Sequence, residues 1–522
     1  MNRAIILSRR ILIWIIVIFF GGCAMVGPEF SPPKAPVAPK WEESEGVDTK
    51  AEPADYSEWW KVFDDPVLDK LIQMAYEQNL SLQIAGLRVL EARAQLGVVS
   101  GNLYPQTQIA TGDYKYNRSA NPPPGVDRYL SGASVGFDAA WELDFWGKFR
   151  RSIQSANANL IANIAGYDDV LVTLTAEVAR TYVQIRTFHE RIRLSVENTK
   201  IQKQALQISL ARFESGAVSE LDVQQAKTLL STTQASVPAL QISLRQTQHA
   251  LSILLGIPPQ DLDGLLGHSK PIPDAPAEVA VGIPADLLRR RPDIRRAELQ
   301  AAAQCAQIGV AKSELFPSIS LLGTLGWSVN DAGQHSLGDL FKSSSFGFSF
   351  GPSFQWNILN YGRLKNQVRV HDARFQQQLT NYRNVVLNAA REVEDAMTGF
   401  MRSKIEAGYL SKSVEAAKRT SQISMIQYTA GVIPYESVLS STGALARHQD
   451  QHAQIKGNIA TNLIAMYKAL GGGWEVRLGK DFVPAPVQEQ MRKRTDWGEL
   501  LQIRNQEPPP EAEKDLWRKP DW

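Results

Sequence analysis

Residues 147–216 read GKFRRSIQSANANLIANIAGYDDVLVTLTAEVARTYVQIRTFHERIRLSVENTKIQKQALQISLARFESG, a stretch with no proline and one interior glycine, Gly166. A continuous helix over these residues would be roughly 100 Å long, which exceeds the depth of an ordinary globular core. Mostly apolar residues recur at every seventh position, which predicts a narrow seam between neighbouring helices. The seam consists of Leu171, Val178, Ile185, Ile192, Thr199, Leu206 and Phe213.

A second long helical pattern occurs 215 residues further along the chain. The glycines that follow the two patterns, Gly216 and Gly431, are separated by this distance (431 minus 216). Gly216 and Gly431 suit the left-handed conformation that ends a helix, so we expect helical hairpins over about 147–256 and 362–470. Shorter helices from Asn79 and Arg291 are predicted to stack end to end with the returning helices. The equal spacing predicts two structural repeats, 59–270 and 271–474. The second seam consists of Val386, Val393, Phe400, Ala407, Val414, Ser421 and Tyr428.

The N-terminus has the pattern of an export signal. Arg9 and Arg10 precede a short apolar run that is followed at once by Gly21-Gly22-Cys23. This arrangement resembles a bacterial lipoprotein signal, in which Cys23 is acylated and residues 1–22 are removed. An uncleaved signal anchor is the alternative. Residues 23–58 are rich in proline and favour an extended tether between the lipid and the folded body.

Composition excludes several classes of protein. The chain has 522 residues, a formal net charge of +2 and a slightly negative mean hydropathy, so it is neither a polytopic helical membrane protein nor a strongly basic nucleic-acid binder. It has two cysteines. With Cys23 carrying lipid, Cys305 has no partner in the chain and no disulfide is expected. The basic run Arg289 to Arg291 ends at Pro292-Asp293, which is typical of a helix start rather than a nucleic-acid contact.

Two segments alternate between apolar and small polar residues with a period of two, which predicts β-hairpins over about 106–142 and 318–357. Each strand has the length that crosses an outer membrane when tilted. A half-buried hairpin of a soluble protein would alternate in a similar way, but the export signal favours the membrane. We therefore predict that the aromatic residues Phe137, Trp141, Trp327, Phe346, Phe348 and Phe350 face lipid.

Four strands in one chain cannot close a membrane barrel, because an open sheet in lipid leaves unpaired backbone groups along both edges. Several copies must therefore share one barrel, and three copies would supply twelve strands. Both ends of each hairpin lead into helices, so all the helices lie on one side of the membrane. With the lipid on Cys23 in the inner leaflet, that side is expected to be the periplasm. The predicted fold is mainly α with a transmembrane β part.

Local motifs resemble those of the outer membrane factor family, in particular the lipoprotein branch of TolC-like efflux channels. The resemblance covers about residues 56–475. It implies a homotrimer, with a twelve-stranded β-barrel in the outer membrane continued by a periplasmic α-barrel of long antiparallel helical hairpins. It also implies a periplasmic adaptor and an inner-membrane pump as partners. The motifs are Trp60-Lys-Val-Phe63-Asp-Asp-Pro66, the endings Leu-Tyr-Pro105 and Leu-Phe-Pro317, and Ile283-Pro-Ala-Asp-Leu-Leu-Arg-Arg-Arg-Pro-Asp293.

The resemblance assigns roles to the far tips of the helical hairpins. Exposed apolar groups there would dock the adaptor, although they could instead pack on one another. Just beyond the second tip, related channels narrow their pore, often with a carboxylate at the position of Ser440. Asp222 and Glu436 are the remaining candidates for the gate, with a solvated helix-end charge as the alternative. The docking candidates are Gly216, Ala217, Val218, Leu221, Gly431, Val432, Ile433 and Tyr435.

The leading hypothesis is thus a passive outer-membrane conduit from an adaptor and pump to the exterior. A lipid-anchored periplasmic scaffold without a pore is the alternative, and it would have no use for lipid-facing aromatic residues. No pattern indicates an enzyme, a cofactor or a metal. His448 and His452 share a helical face but lack the acidic residue of a zinc protease motif. The tail, residues 475–522, is expected to be flexible or to lie on the surface.

Overall fold

A computed structural model describes residues 25–34, 37–38, 40–42, 56–122, 124, 127–267, 270–276, 290–331 and 336–501. The predicted signal and Cys23 lie outside the described residues. The architecture is mainly α with one four-stranded antiparallel sheet, as predicted. In chain order, the elements are α1 (Pro66–Gln78), α2 (Leu80–Gly101), β1 (Thr107–Arg118), β2 (Tyr129–Leu143), α3 (Lys148–Glu214), α4 (Glu220–Leu254), α5 (Asp263–Leu266), α6 (Pro292–Ser313), β3 (Ser318–Asn330), β4 (Phe346–Gln355), α7 (Arg363–Thr429), α8 (Tyr435–Ala469) and α9 (Ala485–Arg494).

Corresponding helices of the two halves have identical lengths. Helices α3 and α7 each have 67 residues, α4 and α8 each have 35, and α2 and α6 each have 22. Gly216 and Gly431 end the long helices with φ values of +73° and +79°. At each turn the glycine and the following residue donate hydrogen bonds back to the last helical turn, which is the usual C-terminal cap. Within the described ranges, no helix is both long and apolar enough to cross a membrane.

The short helices meet the returning helices end to end. The Asn79 amide donates to the carbonyl oxygen of Leu254 at 2.8 Å, and the Arg291 guanidinium donates to that of Ala469 at 2.7 Å. Both acceptors are among the last carbonyls of a helix, which have no partner within their own helix. Residues 79 and 291 occupy equivalent positions before α2 and α6, so one junction is built twice with different side chains. Arg291 also pairs with Glu392 of α7 at 2.8 Å.

The main apolar core surrounds the half of the long helices that lies nearer the sheet. Leu171, Val178 and Ile185 of the predicted seam are fully buried. Beyond them the seam residues are less buried, and Phe213 at the end of the seam is 42% exposed. Polar groups contribute to packing in this far half, as where the Asn198 amide donates to the Gln449 side chain at 2.8 Å. The predicted seam is therefore not apolar throughout its far half, where Leu206 packs against a second, smaller core but Phe213 is exposed.

The described part of the C-terminal segment belongs to the folded body. Val483 and Leu501 are buried in the main core. Arg477 makes a buried ion pair with Asp168 of α3, and its Nη2 lies 3.2 Å from the carboxylate. Of the two alternatives for the tail, flexible or lying on the surface, the flexible one is wrong for residues 475–501, because long-range contacts hold them. Residues 502–522 lie outside the described residues.

Candidate functional site

One face of the sheet is apolar across all four strands. The pairing places Phe137 opposite Leu325 and Leu325 opposite Phe348, so the three side chains form one row. Directly paired residues of an antiparallel sheet point to the same side. The register puts all the predicted lipid-facing residues on this face, namely Phe137, Trp141, Trp327, Phe346, Phe348 and Phe350. Phe348 and Phe350 are 78% and 75% exposed in the single chain.

The opposite face carries small and polar residues. Ser134 pairs with Ser328, and Thr324 pairs with Ser349. Gly326 lies in the middle of this face, where a Cβ atom would come within 2.6 Å of the Val135 carbonyl oxygen. Such a close backbone approach is typical of a tightly curved sheet. Strands β1 and β4 are the edges of the sheet, so this chain supplies an open segment with one apolar and one polar side.

Tryptophan side chains fasten the sheet to the helices. The indole of Trp141 donates to the carbonyl oxygen of Leu103 at 3.1 Å, and that of Trp356 donates to Leu315 at 3.1 Å. These are equivalent bonds in the two repeats, each to the turn between a short helix and a strand. Trp146 adds a third bond, to the carbonyl oxygen of Pro317 at 2.8 Å. The sequence indicated a lipid-facing role for Trp141 and did not indicate this backbone contact.

The two helical tips lie at the far end of the long helices. Leu221 and Val432 are 63% and 70% exposed, as the sequence predicted for apolar groups at the tips. Gly216, Ala217 and Gly431 are exposed as well, whereas Val218 and Ile433 are only partly exposed. The tips therefore present two large apolar side chains to solvent, one from each hairpin.

The prediction that Tyr435 is an exposed docking group is wrong, because its side chain is 1% exposed. Its ring packs edge-on against Tyr428, which is fully buried, with the ring centroids 5.3 Å apart. Val218 and Ile433 pack against this second, smaller core. Burial raises the pKa of Tyr435 to about 12. The alternative that the apolar tip groups pack on one another thus holds for these three residues.

Tyr428 joins the two hairpins beneath the tips. Its hydroxyl lies 3.1 Å from the Ser209 hydroxyl, and the Arg212 guanidinium stacks over its ring at 4.7 Å and donates to its carbonyl oxygen. Burial raises the pKa of Tyr428, the Ser209 hydroxyl opposes that shift, and the Asp222 carboxylate adds to it. Sequence reasoning missed Arg212 and assigned Tyr428 only to the seam. Comparing the two repeats could have singled out Tyr428, because the equivalent residue of the first repeat is Phe213, which has no hydroxyl.

The gate candidates lie in different environments. Asp222 is half-buried and interacts with the Tyr428 hydroxyl between the hairpins. Glu436 and Ser440 are exposed on α8, one helical turn apart. The structure thus places Asp222 within the tip contact and leaves Glu436 and Ser440 on an open surface. No cluster of His, Cys, Asp and Glu suited to a metal ion occurs in the part of the chain that the structure describes.

A sheet segment that is apolar on one side and polar on the other, fused to long antiparallel helical hairpins, defines one subunit of an outer-membrane channel with a helical stem. Comparison with known proteins agrees. The sequence model of the family described as outer membrane efflux protein matches residues 71–257 and 283–472. The chain belongs to this family.

Relatives and solved structures resemble the chain over most of its length. Nodulation protein T of Rhizobium leguminosarum bv. viciae is 30% identical over 469 residues, covering 90% of this chain and 94% of that protein. The solvent efflux pump outer membrane protein SrpC of Pseudomonas putida is 30% identical, covering 88% and 97%. The outer-membrane channel OprN superposes with a TM-score of 0.80 at 30% identity, covering 86% of this chain and 99% of that one.

Proposed function

We propose that this chain forms a homotrimeric outer-membrane channel, which serves as the passive conduit of a tripartite efflux or export system. The observation that carries the proposal is the register of the sheet, which separates an apolar from a polar face across four strands. Both edge strands need neighbours in a bilayer, and copies of the same sheet supply them. The apolar face then contacts lipid, and the polar face lines a water-filled passage.

Reconstitution tests the conduit. The protein is extracted from the outer membrane in detergent, its mass in solution is measured, and purified material is added to a planar bilayer. We expect trimers and discrete single-channel conductance. A lipid-anchored scaffold would give no conductance steps, and that result would reject the pore.

We further assign the adaptor contact to the exposed tip groups, principally Leu221 and Val432. A charged side chain at either position faces solvent in the free trimer and an apolar partner in the complex, so it should weaken docking alone. We expect Val432→Glu to abolish drug or dye resistance in cells while trimer yield and bilayer conductance stay unchanged. Gly408→Glu is the control, because a Cβ atom at Gly408 meets nothing within 4 Å and the residue lies on α7 away from the tips. Full resistance of the Val432 variant would refute the docking site.

Asp222, Glu436 and Ser440 are the proposed gate positions. Carboxylates that repeat around a trimer repel one another in a narrow passage and attract cations. Glu436→Gln should therefore lower the preference for cations, and Asp222→Asn should raise the frequency of opening by loosening Tyr428. Conductance and ion selectivity that do not respond to either change would remove that residue from the gate.

Lipid anchoring at Cys23 completes the proposal. The lipid would place the N-terminus in the inner leaflet, on the same side as the helices, so that the chain has its stem in the periplasm. Intact mass of the purified protein tests the anchor directly, since the acylated form without residues 1–22 has a distinct mass. Cys23→Ser should abolish the acyl mass.

A further inference from the structure

The segment that joins β4 to α7 ends in an uncovered aromatic side chain. Tyr361 is 97% exposed in the single chain, and Ile358 and Leu359 before it are exposed as well. The backbone of Tyr361 is left-handed, with a φ value of +49°. A bulky residue rarely adopts this conformation, which persists where the folded protein requires the side chain in one direction. Tyr361 thus has a fixed direction but almost no cover from the described part of its own chain.

The equivalent residue of the first repeat shows which contact an aromatic side chain makes at this place. Trp146 lies two residues before α3, as Tyr361 lies two residues before α7. The ring of Trp146 stacks on that of Phe316, with the centroids 4.6 Å apart, and its indole donates to the carbonyl oxygen of Pro317 at 2.8 Å. Phe316 and Pro317 follow α6 of the second repeat. Trp146 therefore joins the first repeat of the chain to the second.

The helices of the second repeat lack the corresponding contact with a first repeat. Helix α6 packs along both α3 and α7, whereas α2 packs along α3 and along no other described helix. Of residues 363–382, at the start of α7, only Leu364 is buried, while seven residues are buried in the matching part of α3, 148–167. One face of α7 and one face of α2 are therefore without a neighbouring helix within the described part of the chain.

Matched glycines mark the faces of the short helices. Gly309 lies where α6 meets α3, since a Cβ atom on it would come within 2.9 Å of the Arg151 Cγ atom. Gly97 holds the same position along α2, and a Cβ atom there would meet nothing within 4 Å in the single chain. Glycine weakens the interior of a helix but permits a neighbour to approach closely. The exposed face of α2 is therefore suited to a second helix.

These observations are explained together if the copies form a closed ring. In such a ring, the second repeat of one copy is followed by the first repeat of the next copy. The residues equivalent to Phe316 and Pro317 are Tyr104 and Pro105, which follow α2. We propose that Tyr361 docks on Tyr104 and Pro105 of the next copy, with the start of α7 packed along α2 of that copy. The inference rests on the proposed homotrimer and names the contact that joins its subunits.

The polar residues beside this contact are compatible with it. Within the chain, the Lys148 ammonium pairs with the Glu314 carboxylate at 2.8 Å, next to the stacked rings. Arg363 and Asn102 hold the equivalent positions. A guanidinium can donate to the side-chain carbonyl oxygen of an asparagine, so the pair between copies keeps a donor and an acceptor without burying like charges.

Photo-cross-linking in the full-length protein tests which residues Tyr361 contacts. Tyr361 is replaced with p-benzoylphenylalanine, the purified protein is irradiated in detergent, and the products are separated by mass under denaturing conditions. We expect covalent dimers and trimers whose cross-linked peptide contains residues 101–106. The matched control carries the same probe at Tyr409, an exposed tyrosine in the far half of α7, and should give no cross-link to residues 101–106.

Subunit exchange measures how much the contact stabilises the assembly. Trimers with two different tags are mixed in detergent, and the rate at which mixed trimers appear is followed. Tyr361→Ala should exchange at least about tenfold faster than the native protein, because aromatic residues at the centre of an interface commonly contribute this much. Tyr361→Trp introduces the residue of the first repeat and should exchange at about the native rate.

The mass of the native protein in detergent separates this proposal from the proposed function. A monomeric mass would reject the homotrimer itself. A trimer whose Tyr361 probe cross-links only within one chain, only to lipid, or to another part of the next copy would overturn the proposed contact and leave the trimer intact. Native exchange rates in Tyr361→Ala would overturn it as well. Because Tyr361 is exposed in the single chain, folded monomers of Tyr361→Ala would support the contact.

Discussion

Placing a charged residue at a single position on the apolar face of strand β4 is the sharpest test of which face of the sheet contacts lipid. Phe350 lies on the apolar face and is the fifth of the ten residues of β4, close to the middle of the strand. An arginine on the lipid face near the midplane of a bilayer costs about 2–4 kcal/mol, so three copies cost about 6–12 kcal/mol per trimer. That sum is comparable to the whole stability of a typical domain, about 5–15 kcal/mol. Phe350→Arg should therefore prevent stable insertion.

Ser349 provides the control, because it is the next residue along the strand and points to the polar face opposite Thr324. Ser349→Arg places the same charge in the aqueous passage and should change stability by less than about 0.5 kcal/mol. The assay is the amount of folded trimer in outer-membrane fractions, measured as the form that resists dissociation before heating. Bilayer conductance of the purified Ser349 variant follows. Equal loss of trimer in both variants would refute the assignment of the two faces.

Three further predictions concern the helices. Asp168→Ala should destabilise the purified trimer by about 3–5 kcal/mol in thermal unfolding, because it strands a buried guanidinium, and adding Arg477→Met should recover most of the loss. Tyr428→Phe removes one hydroxyl contact beneath the tips, worth about 0.5–1.5 kcal/mol, and should raise the open probability in bilayer recordings without changing trimer yield. Gly457→Ala places a Cβ atom 2.4 Å from the Thr187 hydroxyl oxygen and should lower the unfolding temperature, whereas Thr187→Ala in the same chain should restore it.

Periodicity was sufficient to predict the elements that are repeated. The helix ends follow from glycines that admit a left-handed backbone, and Gly216 and Gly431 lie where the long helices turn. The faces of the strands follow from the period of two, since a one-residue error in register would move every aromatic group to the polar side. The assignment of Phe137 and Phe348 to one face needed no knowledge of pairing partners.

Contacts between distant segments could not be predicted in this way. Tyr435 looked exposed because it follows a tight turn, but its environment is set by Tyr428 on the preceding helix. Arg477 and Asp168 are 309 residues apart, and neither residue stands out locally as one half of a buried pair. The small core beneath the tips and the packing of the C-terminal segment are therefore properties of the folded chain.

The two repeats share one geometry, so functional specialisation is best sought where equivalent positions differ. Helix lengths match to the residue, which lets both hairpins reach one set of tips and one sheet. Tyr428 is buried, whereas its equivalent Phe213 is 42% exposed. The buried aromatic side chain that connects the two hairpins beneath the tips therefore comes from the second hairpin. A Cβ atom on Gly309 would lie 2.8 Å from the Val26 carbonyl oxygen, whereas one on its equivalent Gly97 would meet nothing within 4 Å in the single chain. Exchanging residues between such paired positions, Phe213→Tyr with Tyr428→Phe, should lower trimer stability at the tips because the buried contact loses the hydroxyl that meets Ser209 and Asp222.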